Sequence, residues 1–220
     1  MTLATPRTGI PFVVSAPSGT GKTSVCRAAL ARDPELEFSI SHTTRPPRAG
    51  ERDAVDYHFV STAEFRHLIE EGAFLEYAEY NGNLYGTSTV ALDAVLLRGR
   101  DLLLEIEIQG AEQIHRRRPD ARFVFLLPPS LAALEQRLRS RGTDAPEAVE
   151  KRLALAGREL AAADLFDYAL VNDDFEQTVA DLLTVIAAER AGRRAEVLAR
   201  YGRERALEQL PWFAEARRRA

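Results

Sequence analysis

The sequence has little cysteine, little lysine and no long apolar run. Cys26 is the single cysteine, so a disulfide within the chain is excluded and a thiolate metal cluster is not expected. No apolar run reaches the about 18 residues that a membrane-spanning helix needs, and the polar residues 1–9 carry no secretory stretch. These absences exclude a membrane protein and a secreted disulfide scaffold, and we expect a cytoplasmic protein with no membrane partner.

The charge is slightly negative overall but unevenly distributed. The 33 acidic and 29 basic residues give a net charge of −4, which does not support sequence-independent binding of nucleic acid. Residues 190–220, in contrast, contain nine Arg and only four Glu. This basic tail is either a solvated helix, which is the simpler interpretation, or a surface for an acidic partner.

The order of the predicted elements indicates an α/β fold with a mostly parallel central sheet, because strands alternate with helices along the chain. Two irregular segments that contain arginine, 42–56 and 139–146, interrupt this alternation, and we expect them to be mobile. The predicted strands are 10–15, 56–60, 74–80, 101–108, 122–127 and 168–171, and the predicted helices are 21–31, 61–72, 88–99, 111–117, 130–139, 146–163 and most of the chain after 171, with a break near Gly202.

The strongest motif follows the first predicted strand and reads Ala16-Pro17-Ser18-Gly19-Thr20-Gly21-Lys22-Thr23. It matches the phosphate-binding loop of nucleotide-binding proteins except at Ala16, where the pattern has glycine. Gly19 and Gly21 let successive backbone N–H groups face one phosphate, at the positive end of the following helix. Lys22 adds a charge at the β- and γ-phosphates, and the Thr23 hydroxyl is a candidate Mg²⁺ ligand. The motif predicts binding of a nucleoside triphosphate; the alternative is a chance turn before a helix.

Five further segments carry a second pattern: Ser41-His42-Thr43-Thr44-Arg45-Pro46-Pro47-Arg48, Asn83-Leu84-Tyr85-Gly86-Thr87, Glu105-Ile106-Glu107-Ile108-Gln109-Gly110, Arg141-Gly142-Thr143-Asp144 and Val171-Asn172-Asp173-Asp174. With these segments the chain resembles guanylate kinases, in unbroken order over residues 9–188. The resemblance implies transfer of the γ-phosphoryl group of ATP to GMP with Mg²⁺, in a monomer or homodimer, and leaves open whether dGMP is also used.

The resemblance also implies a division of the chain. A P-loop kinase core would occupy residues 9–40, 90–135 and 160–190, with mostly parallel strands flanked by helices. An inserted GMP-binding lobe would occupy 41–89, a lid 136–158, and the basic helical tail 190–220.

The acceptor phosphate is expected to meet two arginines. Arg45 and Arg48 lie three residues apart on a proline-stiffened loop, and their forked guanidinium groups suit a phosphate dianion. The resemblance makes them the GMP phosphate clamp, completed by the hydroxyls of Tyr57 and Tyr85. Without it, a solvated arginine-rich loop would be the better interpretation.

The acceptor base is expected to meet Glu76, on the predicted strand 74–80. A carboxylate there can accept hydrogen bonds from the N1–H and the 2-amino group of guanine, a pair that adenine lacks. The resemblance adds Ser41 and Thr87 as residues that hold the base. Alternation along the strand leaves an outward-facing Glu76 as an alternative.

Glu105 and Glu107 follow an apolar strand and lie two residues apart, so both point to one face at the edge of a parallel sheet where ligands bind. The family usually has Asp at the second position. We expect one of the two to contact GMP or the water shell of Mg²⁺, and the sequence does not distinguish them. Solvated carboxylates at a strand end are the alternative.

The resemblance assigns Arg137, Arg141 and Arg152 to the lid, where they would neutralise charge during phosphoryl transfer. The alternative is a set of helix-surface arginines paired with glutamates four residues away, as Glu135 and Arg139 are spaced. The resemblance also places Asn172 on the adenine side of ATP.

Two other functions fit parts of the pattern. One is a kinase of the same fold with a different phosphorylated acceptor, such as a ribose bisphosphate, against which Glu76 and the two clamp arginines argue. The other is a protein-binding scaffold, since guanylate kinase-like domains also serve that role. Those relatives typically have a degraded phosphate loop, whereas this loop keeps Gly21, Lys22 and Thr23.

Overall fold

The computed structural model of the chain describes residues 7–80, 82–140, 150, 153, 156, 159, 160 and 162–214. The chain forms two compact units, the first made of 1–11, 35–104 and 109–121 and the second of 12–34, 105–108 and 122–220. None of the helices in the described ranges is long and apolar enough to cross a membrane.

The described secondary structure contains both strands and helices along the chain, as predicted, although some strands and some helices follow one another directly. The strands are β1 (Pro11–Ser15), β2 (Leu36–Phe38), β3 (His42–Thr43), β4 (His58–Phe59), β5 (Phe74–Tyr80), β6 (Asn83–Ser88), β7 (Asp101–Glu105), β8 (Arg122–Leu127) and β9 (Tyr168–Val171). The helices are α1 (Lys22–Arg32), α2 (Thr62–Glu70), α3 (Thr89–Leu97), α4 (Ile108–Arg117), α5 (Leu131–Ser140), α6 (Phe175–Arg190), α7 (Arg194–Tyr201) and α8 (Arg203–Gln209), and a short 3₁₀ helix spans Ala162–Leu165.

The larger sheet contains β1, β2, β7, β8 and β9, and its described strand pairs are parallel. In the second unit, Val14 on β1 pairs with Val124 on β8, and Leu126 on β8 pairs with Leu170 on β9. In the first unit, β2 pairs with β7. All five residues of β1 are buried, which agrees with the apolar residues that precede Ser15 in this strand. The α/β fold with a mostly parallel central sheet is therefore confirmed.

The smaller sheet belongs to the first unit and has the order β4-β3-β6-β5. β6 is antiparallel to both β5 and β3, and β4 pairs with β3 in parallel. The helix α2 begins at a capping box, in which Ser61 accepts a hydrogen bond from the Glu64 N–H and the Glu64 carboxylate accepts one from the Ser61 N–H. Its buried Phe65 packs on Phe74 of β5, with ring centroids 4.6 Å apart.

Several predicted boundaries were wrong. The expected strand 101–108 ends at Glu105, because α4 begins at Ile108. The expected strand 56–60 is reduced to β4, and the expected irregular segment 42–56 begins with β3. The strands β2 and β6 were not predicted. In the expected helix 146–163, residues 150, 153, 156, 159 and 160 are described and helical.

The described part of the basic tail, residues 190–214, is mostly helical and breaks at Gly202 as predicted, but it is not simply a solvated helix. Val197, Tyr201, Ala206 and Phe213 are buried. Arg194 donates to Glu189 and to Asp167, both at 2.7 Å. Part of the tail's positive charge is thus neutralised by carboxylates of the same chain.

Candidate active site

The phosphate-loop motif connects the buried β1 to the start of α1, as the sequence predicts. Gly19 and Gly21 have φ of +93° and +98°, which side chains other than glycine rarely adopt. A Cβ on Gly21 would also lie 2.7 Å from Nδ2 of Asn172. Among the described residues, Ala54 is the one non-glycine residue with positive φ, so Ala16 tolerates its side chain. The loop therefore has the backbone that phosphate binding requires.

The N-terminus of α1 is open to an anion. Gly21 is the N-cap, no side chain in the described part of the protein caps the helix, and its first turn contains no acidic residue. The uncapped N–H groups and the helix dipole together favour a negatively charged group at this end. This arrangement can hold a phosphate.

Lys22 and Thr23 each meet one of the predicted carboxylates. The Lys22 ammonium donates to Oε1 of Glu107 and to the Ile106 carbonyl, both at 2.9 Å. Burial lowers the pKa of Lys22, but the charges of Glu107 and Glu105, together with the hydrogen bond to Glu107, outweigh burial and leave the pKa raised, so the amine stays protonated. The Thr23 hydroxyl donates to Oε1 of Glu105 at 2.5 Å.

These oxygens suit a hydrated magnesium ion. Mg²⁺ is usually bound through one or two protein oxygens together with substrate phosphates and waters. Thr23 and Glu105 supply two adjacent hard oxygens at the helix that receives the phosphates. No group of three or more metal-ligating side chains was found in the described ranges, so a protein-only metal cage is not what the site offers there.

Asn172 contacts the phosphate loop, and Arg137 contacts Asn172. The Asn172 side chain is buried and donates from Nδ2 to the Thr20 carbonyl at 2.6 Å. Its Oδ1 has no hydrogen-bond partner among the described atoms. Arg137 donates to the backbone carbonyl of Asn172 at 2.9 Å, so its guanidinium is held beside the strand end that carries Asn172. Asn172 thus contacts the loop backbone, and its contact with adenine stays a prediction.

The other two lid arginines, Arg141 and Arg152, lie outside the described residues. The alternative pairing on the helix surface is present for one residue, since Arg139 lies 2.6 Å from Glu135. Arg137 does not follow that pattern, because the hydrogen bond described for it is the one to Asn172.

On the smaller sheet, Glu76 and Thr87 occupy directly paired positions of β5 and β6. Thr87 donates from Oγ1 to Oε1 of Glu76 at 2.6 Å, and Glu76 is only 5% exposed. Burial raises the pKa of Glu76 to about 7, against the opposing effects of its hydrogen bonds to Thr87 and of the charge of Arg117. The structure therefore brings two predicted base-reading residues together and does not support an outward-facing Glu76.

The predicted phosphate clamp is partly assembled. Arg45 donates to Glu51 at 2.8 Å and lies over the ring of Tyr57, 5.4 Å from its centroid. Tyr57 and Tyr85 meet edge to face with centroids 6.0 Å apart. The hydrogen bond to Glu51 raises the pKa of Arg45 more than burial lowers it. Arg48 is exposed, and its backbone N–H donates to Glu51 at 2.7 Å.

The alternation of side chains along β6 places Tyr85 of the phosphate clamp and Thr87 of the base-reading pair on one face of the sheet. Tyr85 and Thr87 are two residues apart on β6, so their side chains point the same way.

Ser41 precedes β3, and its carbonyl accepts a hydrogen bond from the His58 N–H at 2.9 Å. The predicted acceptor residues between 41 and 87 thus all belong to the first unit, whereas the phosphate loop, Glu105 and Glu107 belong to the second.

Two residues of the site were missed by sequence reasoning. Glu51 joins Arg45 and Arg48, and its position three residues after Arg48, in the turn closed by the hydrogen bond from its own N–H to the Arg48 carbonyl, is a local signal that could have found it. Glu159 approaches the phosphate loop with an oxygen 3.4 Å from the Ser18 nitrogen. It lies 141 positions along the chain from that nitrogen, and no motif spacing points to it.

Comparisons with known proteins agree on one family. The family model for guanylate kinase matches residues 8–189. A guanylate kinase of Thiobacillus denitrificans is 50% identical over 83% of this chain and 87% of that protein, and one of Thermus thermophilus is 52% identical over 85% and 86%. The crystal structure of guanylate kinase from Anaplasma phagocytophilum has a TM-score of 0.69 and 31% identity, over 84% of this chain and 87% of that one.

Proposed function

Since the chain belongs to the guanylate kinase family and is an ATP:GMP phosphotransferase, we propose that its phosphate loop binds ATP and its smaller sheet binds GMP. The observation that carries the first assignment is the left-handed backbone of Gly19 and Gly21 before the uncapped helix α1. An anion at this position receives several N–H groups and the positive end of the helix dipole. The ATP polyphosphate is the anion that this family uses.

The donor end is proposed to work by charge neutralisation. Residues 16–23 cradle the phosphates, and the protonated Lys22 contributes a full positive charge. Thr23 and Glu105 would hold Mg²⁺ with its waters, and the ion, when bound, supplies further positive charge at the phosphate oxygens. Glu107 keeps Lys22 charged and in position. The arginines 137, 141 and 152 would neutralise the transferring group, and Asn172 would lie on the adenine side.

The acceptor end is proposed to separate two tasks. Glu76 and Thr87, with Ser41, read the guanine edge, because a buried carboxylate can accept both guanine N–H groups. The phosphate of GMP is bound by Arg45 and Arg48 and by the hydroxyls of Tyr57 and Tyr85. In the free protein Glu51 neutralises Arg45, and the phosphate would replace that carboxylate as its partner.

No strong general base is needed in this scheme. The acceptor phosphate is already an oxyanion at neutral pH, so the protein has to position the two substrates, neutralise charge and exclude water. The described residues at the proposed phosphate site are consistent with those tasks, since Lys22 and Thr23 are donors and Glu105 and Glu107 hold them in place.

A coupled assay of ADP formation tests the proposal. We expect ADP to form from ATP and Mg²⁺ when GMP is present, and AMP or a ribose bisphosphate to give little turnover. Equal turnover with a sugar phosphate would contradict the guanine-reading role of the smaller sheet, and a dGMP arm settles whether the deoxy form is used. We further propose a cytoplasmic monomer or homodimer that binds neither nucleic acid nor membrane.

A further inference from the structure

The carboxyl group of Glu159 lies against the phosphate loop. The Ser18 N–H donates to its Oε2 over 3.4 Å, and the residue is 8% exposed. This distance is long for a hydrogen bond, so the contact is weak. A carboxylate thus lies beside a backbone N–H of the loop that is proposed to bind the anionic phosphates of ATP.

Apolar contacts fix the helical segment that carries Glu159. Leu153 and Ala156 pack against Leu134 and Leu138 of α5. The same Leu138 lies against the phosphate loop, since a Cβ on Gly19 would come within 2.8 Å of it. Glu159 is therefore held near the loop by packing and not by its own weak hydrogen bond.

The charged groups around Glu159 do not fully neutralise the negative charge of its carboxylate. Among the described residues, the charged groups that act on its carboxyl are Glu107 and Lys22. Lys22 is already bound to Glu107 at 2.9 Å, so its charge is shared. Burial, followed by repulsion from Glu107, raises the pKa of Glu159 to about 7, although Ser18 and Lys22 act in the opposite direction.

We propose that Glu159 is an internal anion of the phosphate loop, which must be displaced or protonated when the ATP polyphosphate binds. The inference rests on the proposed role of this loop. The polyphosphate brings negative oxygens to the same loop and to Lys22, and two anions in one small, poorly solvated site repel each other. Glu159 thereby lowers the affinity for the nucleotide and couples its binding to a proton.

The sign of the pH dependence follows from the charge. Below pH 7 the carboxyl is mostly neutral and does not oppose the phosphates, whereas above pH 7 it is mostly ionised. The affinity for a nucleotide should therefore fall as the pH rises through 7. Binding should raise the pKa of Glu159 further, so the complex takes up part of a proton at neutral pH.

Calorimetry with ADP in the absence of magnesium tests this inference. ADP is titrated at pH 7 into the full chain and into E159Q, in buffers of different ionisation enthalpy. We expect E159Q to take up about half a proton less per ADP than the unsubstituted protein. At pH 8 E159Q should bind ADP about 10-fold more tightly, and at pH 6 the two proteins should bind it equally. The proton uptake of ADP itself is the same with both proteins, so it cancels in the difference between E159Q and the unsubstituted protein.

E150Q is the matched control, because Glu150 is an exposed carboxylate on the same helical segment, 3.5 Å from Arg139. It should behave as the unsubstituted protein does. E159A is a second variant that removes the carboxyl should E159Q fail to fold, and it is expected to lose the same proton uptake. Equal proton uptake and equal affinity in all variants would overturn the inference. Failure of the unsubstituted protein to bind ADP would instead contradict the proposed function.

Discussion

At the scale of single residues, two buried carboxyl groups share a pKa of about 7 but face opposite tasks. Burial is the main cause for both Glu76 and Glu159. Glu76 is proposed to accept hydrogen bonds from guanine, which requires the ionised form. Glu159 opposes the phosphates of ATP only when it is ionised. A rise in pH through 7 should therefore strengthen the binding of GMP and weaken the binding of ATP.

The first prediction concerns the pH dependence of the acceptor. Because the raised pKa of Glu76 leaves it mostly protonated at pH 6, the KM for GMP should fall by about 10-fold between pH 6 and pH 8. E76Q should lose this part of the profile, and its selectivity for GMP over AMP should fall by about 100-fold or more. Steady-state kinetics with both acceptors measure these effects. E79Q, on an exposed residue of the same strand, should keep both properties.

The second prediction concerns Lys22. Removing its ammonium with K22A should lower kcat by about 100-fold or more, because a charge on the transferring phosphates is lost. Binding of GMP, measured by calorimetry, should remain within about twofold. R66A removes an exposed positive charge from α2 and should leave kcat unchanged. Turnover by K22A close to the unsubstituted rate would show that the phosphate loop is wrongly assigned.

At the scale of elements, local signals were predictable and long-range pairing was not. The helix α2 followed from Ser61 and Glu64, whose reciprocal hydrogen bonds span three residues. The strands β2 and β3 contain three and two residues, too few to show a period. The strand β6 exists because it pairs with β5 and β3, and that pairing also brings Thr87 to Glu76. The proximity of these two side chains therefore could not be read from spacing alone.

The phosphate loop was predictable for the opposite reason. Its eight residues are consecutive, and the chemistry of a phosphate dictates glycine at two of them. Glu159, in contrast, reaches the loop through the packing of Leu153 and Ala156 on α5, and nothing near it in sequence marks it. Arg141 and Arg152 lie outside the described residues, so their roles in the lid stay predictions.

The third prediction belongs to the element α2. S61A removes the N-cap acceptor of the Glu64 N–H and should lower the free energy of unfolding by about 1 kcal/mol. Thermal and urea denaturation of S61A measure this loss. T62A, a substitution one residue later, is the control. An equal loss in both variants would show that the capping box contributes nothing specific.

At the scale of the whole chain, the tail beyond the matched family segment is integrated into the second unit. The family model ends at residue 189, and α7 and α8 follow it. Tyr168 and Glu189 share a buried hydrogen bond, and Arg122 and Arg194 both pair with Glu189 at 2.8 and 2.7 Å. A hydrogen bond from the Arg203 N–H to the Asp167 carbonyl, at 3.0 Å, ties α8 to the start of β9. The tail thus stabilises the unit that holds the phosphate loop.

The fourth prediction tests this role of the tail. R194A leaves the buried Glu189 with one charged partner fewer, so the free energy of unfolding should fall by about 1–3 kcal/mol. R193A is the matched control, because Arg193 is more exposed and lies 3.7 Å from Glu196. The KM values for ATP and GMP should be unchanged in both variants, since neither arginine is among the proposed site residues. Equal melting temperatures for the two variants would contradict the prediction.

The alternation of side chains along β6 makes recognition of the acceptor vulnerable to a single insertion or deletion. Tyr85 and Thr87 share a face, and Gly86 between them packs against the rings of Phe65 and Phe74 on the other. A shift by one residue would turn both outward and force a side chain against those rings. Changes in chain length at this strand should therefore abolish capture of the nucleobase and of its phosphate together.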